Sequence, residues 1–270
     1  MNSKAKQAIG IFDSGVGGLT VASAIKNLLP SEKMIYFGDT AHLPYGDKSS
    51  DSIKYYSKKI TEFLLEQNCK IIVIACNSAS SNAYLTVKEL VGDRAIVINV
   101  IDPVIDFVLQ NKQLSKIGVI GTKSTIDSGT YQRNIKSQNS DIELVPLSTP
   151  LFAPMIEEGF IFDDISNAII RSYLSFEKFN NIDSLILGCT HYPIIRNQIR
   201  KFFNFNVEVI DSANVVARYL QDLLIAKNLL NSLQNPQHKF YVSDYTLYFK
   251  KIAEMFFDGE VILSKLNFWK

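Results

Sequence analysis

The sequence predicts an α/β protein with two pseudo-symmetric lobes, each built on a mainly parallel sheet, and an active site in the cleft between them. Short apolar runs alternate with longer segments of helical period along most of the chain, which is the pattern of βα units. The order of these units repeats once. Each repeat reaches an apolar run that is followed by a cysteine, Cys76 in the first half and Cys189 in the second.

The predicted strands are short apolar runs rich in Ile, Val and Leu, the composition of strands that are buried on both faces of a parallel sheet. Their length of four or five residues fits strands better than buried helices. They comprise residues 8–12, 34–37, 71–75, 96–100, 116–120, 142–146, 184–188 and 207–210.

The predicted helices are the longer segments between these runs, where apolar residues recur at helical spacing. Asp102 followed by Pro103 favours an N-cap with proline at the first helical position. Gly92 and Gly159 stand where helices are expected to end. The helical segments are residues 17–29, 51–67, 79–91, 103–112, 125–137, 163–178, 194–203 and 212–232.

The internal repeat defines the predicted domains. Residues 8–12 open the first half, residues 116–120 open the second, and both halves then run through two further βα units to the strand before the cysteine. We assign residues 101–210 to the second lobe and residues 1–100 with 211–270 to the first. The C-terminal stretch is too short for a third domain of usual size, so we expect it to pack back onto the first lobe.

Composition excludes several functional classes. The chain has 270 residues, of which 47% are hydrophobic and 20% charged, and its net charge is +1. These values are those of a globular protein and do not indicate binding to nucleic acid or to an anionic membrane. No run approaches the roughly 18 apolar residues of a membrane helix, and the first apolar run, broken at Asp13, is too short for a signal peptide. We expect a cytoplasmic protein with reduced cysteines.

Polar residues follow the predicted strands at the edge where open α/β sheets bind ligands. They form four short segments, residues 13–18, 38–40, 76–78 and 189–191. Each precedes a predicted helix, whose first N–H groups favour an anion.

Two kinds of cofactor site share some features with these segments. A dinucleotide fingerprint after the first strand would need glycine at position 20, which is Thr20. Cys76, Cys189 and His191 have the composition of a zinc site with an open position. The chain contains only three histidines and no C-x-x-C pair, so neither cofactor is favoured.

Cysteines in facing lobes would suit one reaction, the inversion of a carbon centre. One thiolate would take the proton from one face, and the thiol opposite would return a proton to the other face. A cysteine pKa is near 8.5 and is lowered by a helix N-terminus or a cationic histidine, so we expect activated thiols here. Ser14, Asn77, Ser78 and Thr190 could hold the charge that develops on the substrate.

The segments DSGVGG, GDTAHLPYG, IACNSA and GCTHYP resemble the signature sequences of cofactor-independent glutamate racemases, in order and over nearly the whole chain. The resemblance implies interconversion of L- and D-glutamate for peptidoglycan synthesis, without pyridoxal phosphate, metal or nucleotide, and it allows a homodimer. It implies that Cys76 and Cys189 exchange the proton, supported by Asp13, Asp39, Glu157 and His191. The implied substrate-binding residues are Asp13, Ser14, Tyr45, Gly46, Asn77, Ser78, Thr190 and His191.

Two alternatives stay open at this level. Another racemase of the same superfamily, acting on aspartate or a hydantoin, would differ in pocket contacts that sequence alone does not reveal. Glutamate and aspartate differ by one methylene, which is worth about 1–3 kcal/mol in a pocket. A non-catalytic two-lobed protein that binds an amino acid would bear the same donors but would not need the thiols.

Overall fold

The computed structural model describes residues 3–111, 113–257 and 259–270. Its strands form two separate sheets in which all the pairings are parallel. The strands are β1 Ile9–Asp13, β2 Met34–Gly38, β3 Ile71–Ile74, β4 Ile96–Asn99, β5 Lys116–Gly121, β6 Glu143–Ser148, β7 Ser184–Gly188, β8 Glu208–Asp211, β9 Lys239–Val242 and β10 Leu263–Lys265.

Helices connect the strands, as the crossover between parallel neighbours requires. The α-helices are α1 Leu19–Leu28, α2 Ser50–Glu66, α3 Asn77–Val91, α4 Asp102–Gln110, α5 Lys123–Asp127, α6 Thr130–Gln138, α7 Phe152–Glu157, α8 Asp164–Leu174, α9 Arg196–Phe202, α10 Ser212–Ala226 and α11 Leu247–Phe257. Short 3₁₀ turns lie at Ser3–Lys6, Tyr45–Asp47, Glu177–Phe179 and Tyr192–Ile195.

Strand order confirms the internal repeat. The first sheet has the order β10-β9-β2-β1-β3-β4, and the second has the order β6-β5-β7-β8. In each half, the first strand lies between the second and the third, and the fourth lies outside the third. β3 and β7, the strands that precede the two cysteines, therefore occupy equivalent places, and the predicted fold class is confirmed.

The strands of both lobes are apolar because they are buried. Every residue of β1, β2, β3 and β7 is buried, so the apolar side chains on both faces of these strands are removed from water. A large core cluster runs from β1 and α1 into the second lobe, and smaller clusters lie beside each sheet.

The C-terminal stretch adds to the first sheet. β9 pairs with β2, and β10 pairs with β9, while α10 packs on α1 and α4. The contacts with β2 and α1 agree with the expected return of the tail to the first lobe, whereas α4 lies in the part of the chain assigned to the second lobe. The domain bounds at residues 100 and 211 stay a prediction.

All eight predicted strands are present within one or two residues of their expected ends. Three predicted helices are wrong in extent. The helix at 125–137 is interrupted at Gly129, whose positive φ of 64° ends α5 and starts α6, and the helix at 212–232 ends at Ala226. The helix at 163–178 also ends early, at Leu174. The expected end of the helix at 103–112, residue 112, lies outside the described residues.

The caps follow the expected chemistry with one correction. Asp102 is the first residue of α4 and not its cap, because the Asn99 side chain accepts hydrogen bonds from the N–H groups of Ile101 and Asp102. Gly92 and Gly159 have positive φ angles of 54° and 79° beside helix ends, which glycine adopts without steric cost. Among the described residues, no helix combines the length and apolar character needed to cross a membrane.

Candidate active site

A cavity lies between the lobes at the carboxyl ends of the strands. This is the edge where open α/β sheets bind ligands. Both lobes contribute to its wall, which is formed by Ser14, Pro44, Tyr45, Gly46, Cys76, Asn77, Ser78, Thr122, Ala153, Gly188, Cys189, Thr190 and His191.

Nine of the residues singled out in the sequence line this cavity. They are Ser14, Tyr45, Gly46, Cys76, Asn77, Ser78, Cys189, Thr190 and His191. Asp13, Asp39 and Glu157 lie behind the wall and are hydrogen-bonded to residues that form it. Direct contact between Asp13 and a substrate therefore stays a prediction.

The two thiols reach the same cavity from different lobes. Cys76 follows β3 and occupies the N-cap position of α3, and Cys189 follows β7 directly. Their exposures are 5% and 6%, so water has little access to either sulfur. The cavity therefore presents one nucleophilic atom from each lobe.

The surroundings of Cys76 favour the neutral thiol. Burial, followed by the negative charge of Asp13, raises the pKa of Cys76 to about 12. The thiol donates to Oγ of Ser14 at 3.6 Å. The expectation that this pKa would be lowered is wrong, because loss of hydration outweighs the N–H groups at the start of α3.

The surroundings of Cys189 are different. Nδ1 of His191 lies 3.6 Å from Sγ of Cys189, and Nε2 of the same ring lies 2.7 Å from Oε1 of Glu157. Burial by itself would lower the pKa of His191, but the interactions with Cys189 and Glu157 outweigh it and raise this pKa well above its usual value. A cationic imidazolium beside a sulfur stabilises a thiolate.

Asp13 links the two lobes behind the cavity. Its carboxylate accepts hydrogen bonds from the Gly15 N–H at 3.0 Å and from the Thr190 hydroxyl at 3.4 Å. Burial raises its pKa, although the charge of His191 acts in the opposite direction. This carboxylate lies close enough to both Cys76 and His191 to affect their protonation.

Asn77 presents an unused donor. Its side-chain oxygen accepts a hydrogen bond of 2.9 Å from the Tyr131 hydroxyl, which belongs to α6 of the other lobe. The Asn77 amide nitrogen is buried and finds no hydrogen-bond partner among the described residues. A buried donor without a partner is costly, so this nitrogen is suited to an acceptor that enters the cavity.

Several residues of the site were not singled out from the sequence. Thr122, Pro44, Ala153 and Gly188 line the cavity. Thr122 directly follows β5, the first strand of the second lobe, so applying the strand-end argument to that strand would have found it. Nothing in the sequence around Tyr131 points to the site, because its hydrogen bond with Asn77 joins residues that are far apart in the sequence.

A metal is not favoured by the donors at this site. In the part of the chain that the structure describes, no three His, Cys, Asp or Glu side chains converge as a metal-binding group. The acidic groups near the cavity are instead engaged by hydrogen-bond donors, as described for Asp13 and Glu157.

Comparison with known proteins gives one consistent family. The Asp/Glu/Hydantoin racemase family matches residues 19–220. The glutamate racemase of Chlorobaculum parvum is 41% identical over 254 residues, which cover 94% of this chain and 93% of that protein.

Solved structures of glutamate racemases have the same fold. The enzyme from Francisella tularensis, determined in complex with D-glutamate, has a TM-score of 0.92 and 39% identity, covering 98% of this chain and 99% of that one. The Thermus thermophilus enzyme, in complex with β-chloro-D-alanine, has a TM-score of 0.87 and 35% identity, with 97% of each chain covered. With its fold, its paired cysteines and its relatives in agreement, this chain belongs to the Asp/Glu/Hydantoin racemase family.

Proposed function

We propose that this chain interconverts L-glutamate and D-glutamate by moving the Cα proton between Cys76 and Cys189. The observation that carries the proposal is one cavity with a thiol from each lobe in its wall. Substrate in such a cavity would have a sulfur near each face of Cα. The two sites of proton transfer are distinct, as inversion requires.

The contacts of the thiols suggest their starting states. We assign the starting thiolate to Cys189, because its Sγ lies 3.6 Å from Nδ1 of His191, and the starting thiol to Cys76, whose pKa is raised by burial. The Cys189 thiolate takes the proton from Cα, and the electron pair of the C–H bond stays on the substrate. Cys76 then gives its proton to the opposite face of that carbon, leaving Cys189 as thiol and Cys76 as thiolate. The reverse reaction uses the same two groups in exchanged roles.

The deprotonated substrate needs donors for the negative charge that develops on its α-carboxylate. The amide nitrogen of Asn77, the hydroxyl of Thr190 and the N–H groups at the start of α3 lie around the cavity. Fixed donors in a site with little water stabilise such charge more strongly than mobile solvent does. We assign substrate binding to the predicted binding residues that line the cavity, which are Ser14, Tyr45, Gly46, Asn77, Ser78, Thr190 and His191.

We propose glutamate and not aspartate as the substrate because the similar proteins are described as glutamate racemases. The similar proteins of Chlorobaculum and Francisella are glutamate racemases, the latter with D-glutamate bound. By the resemblance noted in the sequence, the product would supply peptidoglycan synthesis in the cytoplasm. A homodimer stays a prediction.

The proposal is tested by incubating glutamate and aspartate separately with the purified protein in D₂O. Chiral chromatography and NMR would follow the inversion and the deuterium at Cα. We expect each glutamate enantiomer to gain deuterium as it is converted, and aspartate to react far more slowly. Cys76→Ser and Cys189→Ser should each abolish racemisation, because a serine hydroxyl is a much weaker acid than a thiol.

Cys69→Ser is the matched control. Cys69 is buried away from the cavity wall, and burial raises the pKa of its thiol to about 12. This variant should keep wild-type turnover. Full racemase activity in either active-site variant would refute the two-thiol mechanism. Tight glutamate binding without exchange in the wild type would instead indicate an amino-acid-binding protein.

A further inference from the structure

The C-terminal end of the chain reaches the polar layer behind the cavity. Nε1 of Trp269 donates a hydrogen bond of 2.7 Å to Oδ1 of Asp39, although the two residues are far apart in sequence. The hydroxyl of Tyr45 donates to Oδ2 of the same carboxylate, also at 2.7 Å. Asp39 therefore connects the C-terminus with a residue of the cavity wall.

Asp39 depends on these donors because it is fully buried. A buried carboxylate is unfavourable unless hydrogen bonds replace its hydration. Besides Trp269 and Tyr45, the Ser243 hydroxyl donates at 2.8 Å and Nδ1 of His42 lies within 3.0 Å. Three separate segments thus hold one carboxylate, since His42 and Tyr45 lie on the same loop. The loss of one donor would change how the remaining donors share the carboxylate.

Tyr45 transmits the position of Asp39 to the cavity. Burial and the neighbouring Asp39 raise the pKa of the Tyr45 phenol well above its usual value, so the hydroxyl remains a donor. Tyr45 begins the 3₁₀ turn Tyr45–Asp47, and both Tyr45 and Gly46 line the cavity. Gly46 also packs closely on Thr122 of the other lobe. The Cβ atom of Thr122 lies 2.8 Å from the position that a Cβ on residue 46 would occupy. A small displacement of this turn would therefore change the width of the cavity.

We propose that Trp269 is a positioning residue for substrate binding, which holds the Tyr45–Asp47 turn in place through Asp39. It contacts neither thiol, so its effect should fall on substrate affinity more than on the chemical step. The inference rests on the proposed racemase function, because it concerns the same cavity.

The alternative is that Trp269 stabilises the fold by packing alone. Its ring contacts Phe268, His42 and Tyr56, with centroid distances of 4.8, 4.6 and 5.3 Å. Trp269→Phe keeps an aromatic ring and removes the N–H donor. Phe268→Leu is the matched control. Phe268 lies in the same C-terminal tail as Trp269 and packs on Phe37 of β2, but its side chain makes no hydrogen bond to Asp39.

We expect Trp269→Phe to raise the KM for glutamate about fivefold, with kcat changed by less than about twofold, since a hydrogen bond to a charged group is lost. Phe268→Leu should lower the melting temperature and leave KM unchanged. An unchanged KM in Trp269→Phe, or an equal rise in Phe268→Leu, would overturn the proposal.

Fluorescence gives a second test, which does not depend on how well the variants fold. Trp269 is the only tryptophan of the chain, so the emission of the unmodified protein reports its surroundings. Glutamate should change this emission, with half-saturation near the KM. An emission that does not respond to saturating glutamate would count against the proposal.

The two proposals can fail separately. If the wild type does not racemise glutamate, the proposed function is wrong. The emission of Tyr45→Phe without any ligand still tests the structural connection, because loss of the Tyr45 hydroxyl should rearrange the donors around Asp39 and shift the Trp269 spectrum. An unchanged spectrum in that variant would show that Tyr45 and Trp269 are not coupled.

Discussion

Replacing Glu157 by Gln isolates the contribution of one carboxylate to the protonation of His191. Oε1 of Glu157 lies 2.7 Å from Nε2 of His191, and the glutamine amide can keep a hydrogen bond there. The substitution removes the negative charge that helps to keep the imidazole protonated. The pKa of His191 should therefore fall.

The size of the effect follows from the contact. A hydrogen bond to a charged group is worth about 1.5–3 kcal/mol. The Glu157 side chain is 24% exposed, so water weakens the interaction, and the lower end of that range applies. With about 1.4 kcal/mol for each pKa unit, we expect the pKa of His191 to fall by about one unit.

The direction of the pH dependence follows from this shift. Imidazolium is present below the pKa of His191 and is lost as the pH rises through it. In Glu157→Gln, the loss occurs at lower pH. The alkaline limb of the kcat/KM profile should move down by about one pH unit, while the activity on the acidic side changes little.

Two measurements check this expectation. The pH profile reports activity, and NMR titration of the ring signals reports His191 directly, because the chain has only three histidines. Glu158→Gln is the matched control, since the neighbouring Glu158 is exposed. If the His191 titration does not move in Glu157→Gln, or moves equally in Glu158→Gln, the assignment of this carboxylate is incorrect.

Two further predictions concern close packing and stability. In Gly17→Ala, the new Cβ would lie 2.6 Å from Cε1 of His191. Because this contact displaces the ring, racemisation should fall about 100-fold. Gly15→Ala is the control, since its Cβ would make only ordinary contacts, and it should keep turnover within about twofold. Lys70→Met removes a buried ammonium that bonds one carboxylate and two carbonyl groups and should lower the free energy of unfolding by about 3–5 kcal/mol. Urea denaturation measures this loss, and the exposed Lys58→Met should change it by less than about 0.5 kcal/mol.

The strands and the cysteine pair were predictable because their signals are local. A parallel strand buried on both faces must be apolar throughout, so runs such as residues 71–75 and 184–188 can be recognised as strands from the sequence alone. Ligand sites in open α/β sheets lie at the carboxyl ends of strands. That rule places Cys76 and Cys189 at the carboxyl ends of strands in the two predicted lobes, without fixing their positions relative to each other.

The helix bounds were less predictable because they depend on backbone conformation at single residues. The break at Gly129 requires a left-handed φ, which the periodicity of the flanking residues does not show. The two strands of the C-terminal stretch, β9 and β10, were also missed. They lie at the outer side of the first sheet and are partly exposed, so they lack a continuous apolar pattern.

The sequence by itself determined the repeated βα order, the two thiols that end equivalent strands, and the family signatures around them. Only the tertiary structure decided that the pKa of Cys76 rises instead of falling, that Tyr131 orients the Asn77 amide, and that Trp269 reaches Asp39. The physical reason is the separation along the sequence of the residues that interact. Strand pattern depends on neighbouring residues, whereas hydration and hydrogen bonding depend on which distant atoms surround a group after folding.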